Sequence, residues 1–141
     1  LSDELNRPVI NLSKAGATVS TALKQQVPKV IGESNLIFLE IGGNDLLNRN
    51  PSKEYEQALE QIIRMLNSSS NKIVLFELPS LPQYYQYGRI QRKLARNYNI
   101  TLVPKFVMAN VFSTPGATSD GIHLTAQGHE LMKQQVIKLI E

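Results

Sequence analysis

At 141 residues with 42% hydrophobic content, the chain is long enough to bury one sizeable core and short for two. Its net charge of +3 comes from basic residues dispersed among acidic ones, a solvated surface that excludes a nucleic-acid footprint. The lack of cysteine excludes disulfides, thiolate metal sites and a cysteine nucleophile, and no apolar run approaches the ~18 residues a membrane span needs.

In chain order, "LSDELN" at 1–6 reads as the tail of a helix that begins upstream. "PVINLS" at 8–13 is short, apolar and rich in β-branched residues, which predicts a buried strand. Val19, Leu23, Val27, Val30 and Ile31 then recur at helical spacing, with Pro28 expected to kink or shorten that helix. "NLIFLEIGG" at 35–43 predicts the second strand, and Tyr55, Leu59, Ile62, Ile63 and Leu66 the second helix. After the loop "NSSSN" at 67–71, "KIVLFELP" at 72–79 predicts a third strand, followed by a helix marked by Ile90, Leu94 and Tyr98. "ITLVP" at 100–104 predicts the fourth strand, and Met132, Val136, Leu139 and Ile140 a last helix with Thr125 as its N-cap. Strands that are continuously apolar and alternate with helices predict an α/β fold, a doubly wound parallel sheet sandwiched by helices, as one domain over 1–141.

In such folds ligands bind beyond the carboxyl ends of the strands, where the loops gather. Those loops hold the polar chemistry of this sequence. "SKAGAT" carries Gly16, "GGND" carries Asn44, "LPSLPQYYQYG" spans 78–88, and "SDGIHLTAQGH" at 119–129 places Asp120 three residues before His123. Singly each has a structural reading: a turn glycine, a helix-capping asparagine, a loop aspartate, a packed or surface histidine. Together, an amide at one strand end and an Asp/His pair at another are the parts acyl transfer needs, donors for a developing oxyanion and a base with an orienting carboxylate.

With those motifs the chain resembles the Ser-Gly-Asn-His hydrolases, also called GDSL esterases and lipases, in particular the bacterial lysophospholipase, arylesterase and thioesterase I type. "VINLSKAGAT" matches the family's second block with its glycine on Gly16, "LEIGGND" the third with its asparagine on Asn44, and "SDGIHLTAQGH" the fifth with Asp120 and His123. The resemblance implies that His123 is the general base, that Asp120 orients it, and that Asn44 and the Gly16 N–H stabilise the oxyanion. It implies a carboxylic ester or thioester of an acyl or lysophospholipid substrate, and no cofactor or metal.

The family's first block, the Gly-Asp-Ser strand end with the nucleophilic serine, is absent from these residues. The expectation is therefore an N-terminally incomplete domain that lacks the first strand, on the order of 25–30 residues for the strand, loop and helix. Ser13, Ser80 and Ser119 lie near strand ends or the site, but none sits in a strand-to-helix elbow among small residues. A flavodoxin-like order 2-1-3-4-5 leaves a slot of ~9.5 Å between the strands at 8–13 and 35–43, to be filled by a segment outside this numbering or by a second chain. Any signal peptide would belong to the missing part, so localisation, periplasmic or secreted against cytoplasmic, stays open.

Leu78, Leu81, Tyr84 and Tyr85 are expected to form an acyl-binding wall, or else a packed loop. Two other classes remain. A metal-dependent phosphoesterase would use Asn44, Asp45, Asp120, His123 and His129, although two histidines are few for such a site. A non-catalytic doubly wound ligand-binding module would want a phosphate-cradling glycine loop, which is absent.

Overall fold

A computed structural model describes residues 6–33, 35–79 and 82–140. Three parallel strands form the sheet: β1 (Leu36–Leu39), β2 (Lys72–Phe76) and β3 (Thr101–Val103), side by side in that order. The register sets Leu36 opposite Lys72 and Leu39 opposite Leu75, then Val74 opposite Thr101 and Phe76 opposite Val103.

Alternation along β2 sends successive side chains to opposite faces, and each face is covered by helices. Ile73 and Leu75 join one core with α1 (Val19–Gln25), α3 (Ser52–Leu66) and α4 (Tyr85–Asn97). Val74 and Phe76 join the other with α5 (Lys105–Ser113) and α6 (Ala126–Ile140). That is the doubly wound sandwich. The largest apolar face belongs to α3, where Tyr55, Ala58, Leu59, Ile62, Ile63 and Leu66 are buried at helical spacing. Each large side chain among them stabilises the fold by ~1.5–3 kcal/mol relative to exposure.

Two expectations change here. Residues 8–13 form no strand, and Val9 and Ile10 are 60% and 75% exposed. A strand exists only by pairing, and among the described residues no neighbour offers this segment a ladder; β1 pairs with β2 alone. The first helix stops at Gln25, shortened as Pro28 predicts, and Pro28, which has no N–H to donate, lies in a single 3-10 turn (Val27–Lys29); Ile31, expected on the helix's apolar face, is exposed. The helix α5, between β3 and the Asp/His motif, is an addition. Among the described residues no helix is long and apolar enough to cross a membrane.

Candidate active site

The Asp/His motif lies in a loop closed across its base. Thr118 and Leu124 form an antiparallel bridge, the Ser119 N–H donates to the His123 carbonyl at 2.9 Å, and the Thr125 N–H donates to the Ala117 carbonyl at 2.9 Å. Thr125 then caps α6 as the sequence predicts, its Oγ1 accepting the Gly128 N–H at 3.2 Å while donating to the Gly116 carbonyl at 2.7 Å. Gly128 is required because a Cβ there would overlap the Ala117 carbonyl oxygen. The helix start and the loop base are thus one packed unit.

Inside the loop, Asp120 Oδ1 accepts the N–H groups of Ile122 at 3.0 Å and His123 at 2.8 Å, while Oδ2 lies 2.6 Å from His123 Nδ1. The backbone N–H of His123, then its ring, then the Ile122 N–H hold the Asp120 carboxyl down to about 2. The ionised carboxylate only accepts, so Nδ1 carries a proton, and in the tautomer this selects the free lone pair is on Nε2. A base of this tautomer can take a proton from a hydroxyl.

The second group of residues sits after β1. Gly42 adopts φ +116° and opens α2 (Gly43–Leu47), which carries Asn44 and Asp45. Asn44 Nδ2 donates to the Ala17 carbonyl at 2.9 Å, which brings the amide against the turn that contains Gly16. That turn is closed by the Ala17 N–H to the Lys14 carbonyl at 3.2 Å, and among the described residues no acceptor takes the Gly16 N–H. One hydrogen of the Asn44 amide and the Gly16 N–H are therefore available as donors.

The Asn44 turn follows the carboxyl end of β1, and the Asp/His loop leads into α6, which packs on β3. Glu40 directly follows β1 and is solvent-exposed as a residue, yet desolvation holds its carboxyl above the usual range, with the nearby His129 of α6 opposing.

The remaining candidates are dispersed. Leu78 is buried in the core, Tyr84 is half-buried against it, and Tyr85 is exposed with the Arg89 guanidinium 5.9 Å from its ring centre. Leu81 and Ser80 lie outside the described residues. The Ser13 hydroxyl donates to Asn11 Oδ1 at 2.6 Å and the Ser119 hydroxyl to the His123 carbonyl at 3.3 Å, so neither is engaged with the imidazole. Asp45, weighed above as a metal ligand, has its two carboxylate oxygens on the Val19 N–H at 2.9 Å and Asn50 Nδ2 at 3.0 Å. Among the described residues no three His, Cys, Asp or Glu side chains group as a metal site. The tie from Asp45 to Val19 was not legible in the sequence, since it joins residues 26 apart.

Comparison with known proteins identifies the family and the fold. Residues 1–131 match the GDSL-like Lipase/Acylhydrolase family. Thioesterase 1/protease 1/lysophospholipase L1 of Escherichia coli strain K12 is 30% identical over 129 residues, an alignment spanning 82% of this chain and 58% of that protein. The chain thus spans under two thirds of the length of this curated relative. Among solved structures, the psychrotrophic esterase EstA from Pseudoalteromonas sp. superposes with a TM-score of 0.79 at 19% identity, covering 99% of this chain and 80% of that one, a likeness of fold. AlinE4, an SGNH-hydrolase family esterase, superposes with a TM-score of 0.69 at 26% identity, covering 99% and 78%.

Proposed function

Since the chain belongs to the GDSL-like lipase/acylhydrolase family, we propose that it forms the base and oxyanion part of a serine hydrolase acting on carboxylic esters or thioesters of acyl or lipid substrates. The observation that carries this reading is the Asp120–His123 pair, 2.6 Å apart, with the ring tautomer set for a general base. A serine hydroxyl loses its proton to His123 Nε2 as its oxygen attacks the acyl carbon. The carbonyl oxygen, becoming negative, is met by Asn44 Nδ2 and the Gly16 N–H. The imidazolium, steadied by Asp120, then protonates the leaving alcohol or thiol. Water repeats the sequence on the acyl-enzyme and restores the serine.

The serine in this reading belongs to a strand outside the present numbering, either from a longer chain or from a second one, paired with the open edge of β1. In its favour are the half-burial of all four β1 residues, short of the burial expected of a parallel strand, and the exposed apolar Val9 and Ile10. Tyr84 and Tyr85 are the proposed contacts for the acyl chain, with Leu78 packed below. The thioesterase and lysophospholipase names of the Escherichia coli relative favour acyl groups carried on thioesters or lysophospholipids.

The test is reaction with a fluorophosphonate. The protein including that strand should become labelled on one serine outside residues 1–141, and His123→Ala should abolish labelling. Residues 1–141 alone should stay unlabelled and hydrolyse p-nitrophenyl acetate at background rate. Stoichiometric labelling of Ser13, Ser80 or Ser119 would overturn the assignment.

A further inference from the structure

We propose that Asp45 is a positioning residue for the oxyanion hole: its buried carboxylate fixes the start of α1 against the β1–α2 turn and so sets the separation of the Gly16 N–H and Asn44 Nδ2. The inference rests on the oxyanion role proposed above for those two donors.

Asp45 is 2% exposed, and its carboxylate bonds are to neutral N–H groups, the Val19 backbone and the Asn50 amide. Burying a carboxylate without a cation is costly, so the position is one where hydrogen-bond geometry outweighs desolvation. What it joins explains why. Val19 lies three residues after Gly16, and Asp45 one after Asn44, so the Asp45–Val19 bond at 2.9 Å lies beside the Asn44–Ala17 bond at 2.9 Å. Two bonds between the same two short segments leave little freedom to pivot, whereas one would leave a hinge.

Other contacts hold the turn on its remaining sides. The Asn50 N–H donates to the Asp45 carbonyl at 2.9 Å, and the Tyr87 hydroxyl donates to the Asn50 carbonyl. Below, a Cβ on Gly42 would lie 2.8 Å from Tyr55 Cε2 and 2.9 Å from Leu78 Cδ1, so the turn cannot sink toward the core. Asp45 is the tie that fixes its sideways position. A negative charge near a developing oxyanion is electrostatically adverse, so the contribution of Asp45 is geometric.

The test uses the protein with its nucleophile strand, with kcat and KM for p-nitrophenyl acetate normalised to sites titrated by fluorophosphonate. Asp45→Ala should lower kcat by ~10²-fold, with KM within a few fold, because misplaced donors fail chiefly in the transition state. Asp45→Asn keeps an acceptor for the Val19 N–H, and its N–H₂ meets the Asn50 side-chain oxygen once that amide flips, so it should retain kcat to within a few fold. In an Asn44→Ala background, Asp45→Ala should cost under ~10-fold, since one of the donors it positions is gone. Should Asp45→Ala fail to fold, Asp45→Ser, whose single hydroxyl cannot meet both Val19 and Asn50, decides the matter with the same expected loss of kcat. Unchanged kcat per titrated site with only a lowered Tm, or an Asp45→Asn kcat as low as that of Asp45→Ala, would overturn the positioning role. Full kcat in Asn44→Ala would instead remove the oxyanion reading beneath it, and this role with it.

Discussion

Asp120 and His123 face each other across 2.6 Å inside one turn, and the same carboxylate that meets the ring also accepts the His123 backbone N–H at 2.8 Å. The Asp120 carboxylate thus holds both the ring and the backbone of His123. Asp120→Ala should therefore remove more than ring orientation, lowering kcat by ~10²–10⁴-fold. Asp120→Asn keeps an acceptor for the backbone N–H groups and should retain the loop while still impairing the tautomer. Backbone amide shifts of Ile122 and His123, read by NMR in both variants, distinguish the two effects.

The pH dependence follows from the same bonds. Asp120, drawn below its usual range to about 2, chiefly by the His123 N–H, is ionised throughout the range in which histidine titrates. Because its folded value is depressed, its stabilisation of the loop is fully present above the unfolded carboxylate range, near pH 4, and is lost as pH falls toward 2. A ¹³C titration of the Asp120 carboxyl should show no transition above about pH 4. A carboxyl transition between pH 5 and 7 would contradict the geometry.

Gly128→Ala tests how the base is carried. The added methyl would meet the Ala117 carbonyl oxygen, which also accepts the Thr125 N–H. The expected cost is ~1–3 kcal/mol in urea unfolding, with kcat falling because the loop 117–125 must shift. A variant with wild-type stability and turnover would mean that α6 and the loop are not rigidly joined.

The elements that were legible in the sequence are those whose signal is local. The run at 72–79 reads as a buried strand because 72–76 form one, buried from Ile73 on, and Thr125 reads as a cap because its hydroxyl meets a backbone N–H three residues on. Residues 8–13 have the same apolar signature but form no strand, since pairing depends on a neighbour that the sequence pattern does not specify. Helix α5 went unseen because its buried residues, Val107, Met108 and Val111, give too short a helical period, broken by exposed Phe106. Asp45 looked like a ligand and proves to be a buried tie, a difference set by residues far away in the chain.

A second buried carboxylate has a purely structural part. Glu77 is 4% exposed, pairs with Arg92, and accepts the Lys105 N–H at 3.0 Å, which joins the end of β2 to α4 and α5. Arg92→Met should leave that carboxylate short of a donor and destabilise the fold by ~1–3 kcal/mol in urea unfolding. Turnover per titrated site should be unchanged, because neither the Asp120–His123 pair nor the Asn44 turn is touched.

The most direct measurement is a crystal structure of the protein, with its nucleophile strand, after inactivation by a phosphonate. The phosphorus should be bonded to a serine on a strand paired to the open edge of β1. One phosphoryl oxygen should lie at ~2.7–3.1 Å from both Asn44 Nδ2 and the Gly16 N–H, and His123 Nε2 within hydrogen-bonding reach of the serine oxygen. A phosphonyl group on a serine elsewhere, or an oxygen that meets neither Asn44 nor Gly16, would contradict the account.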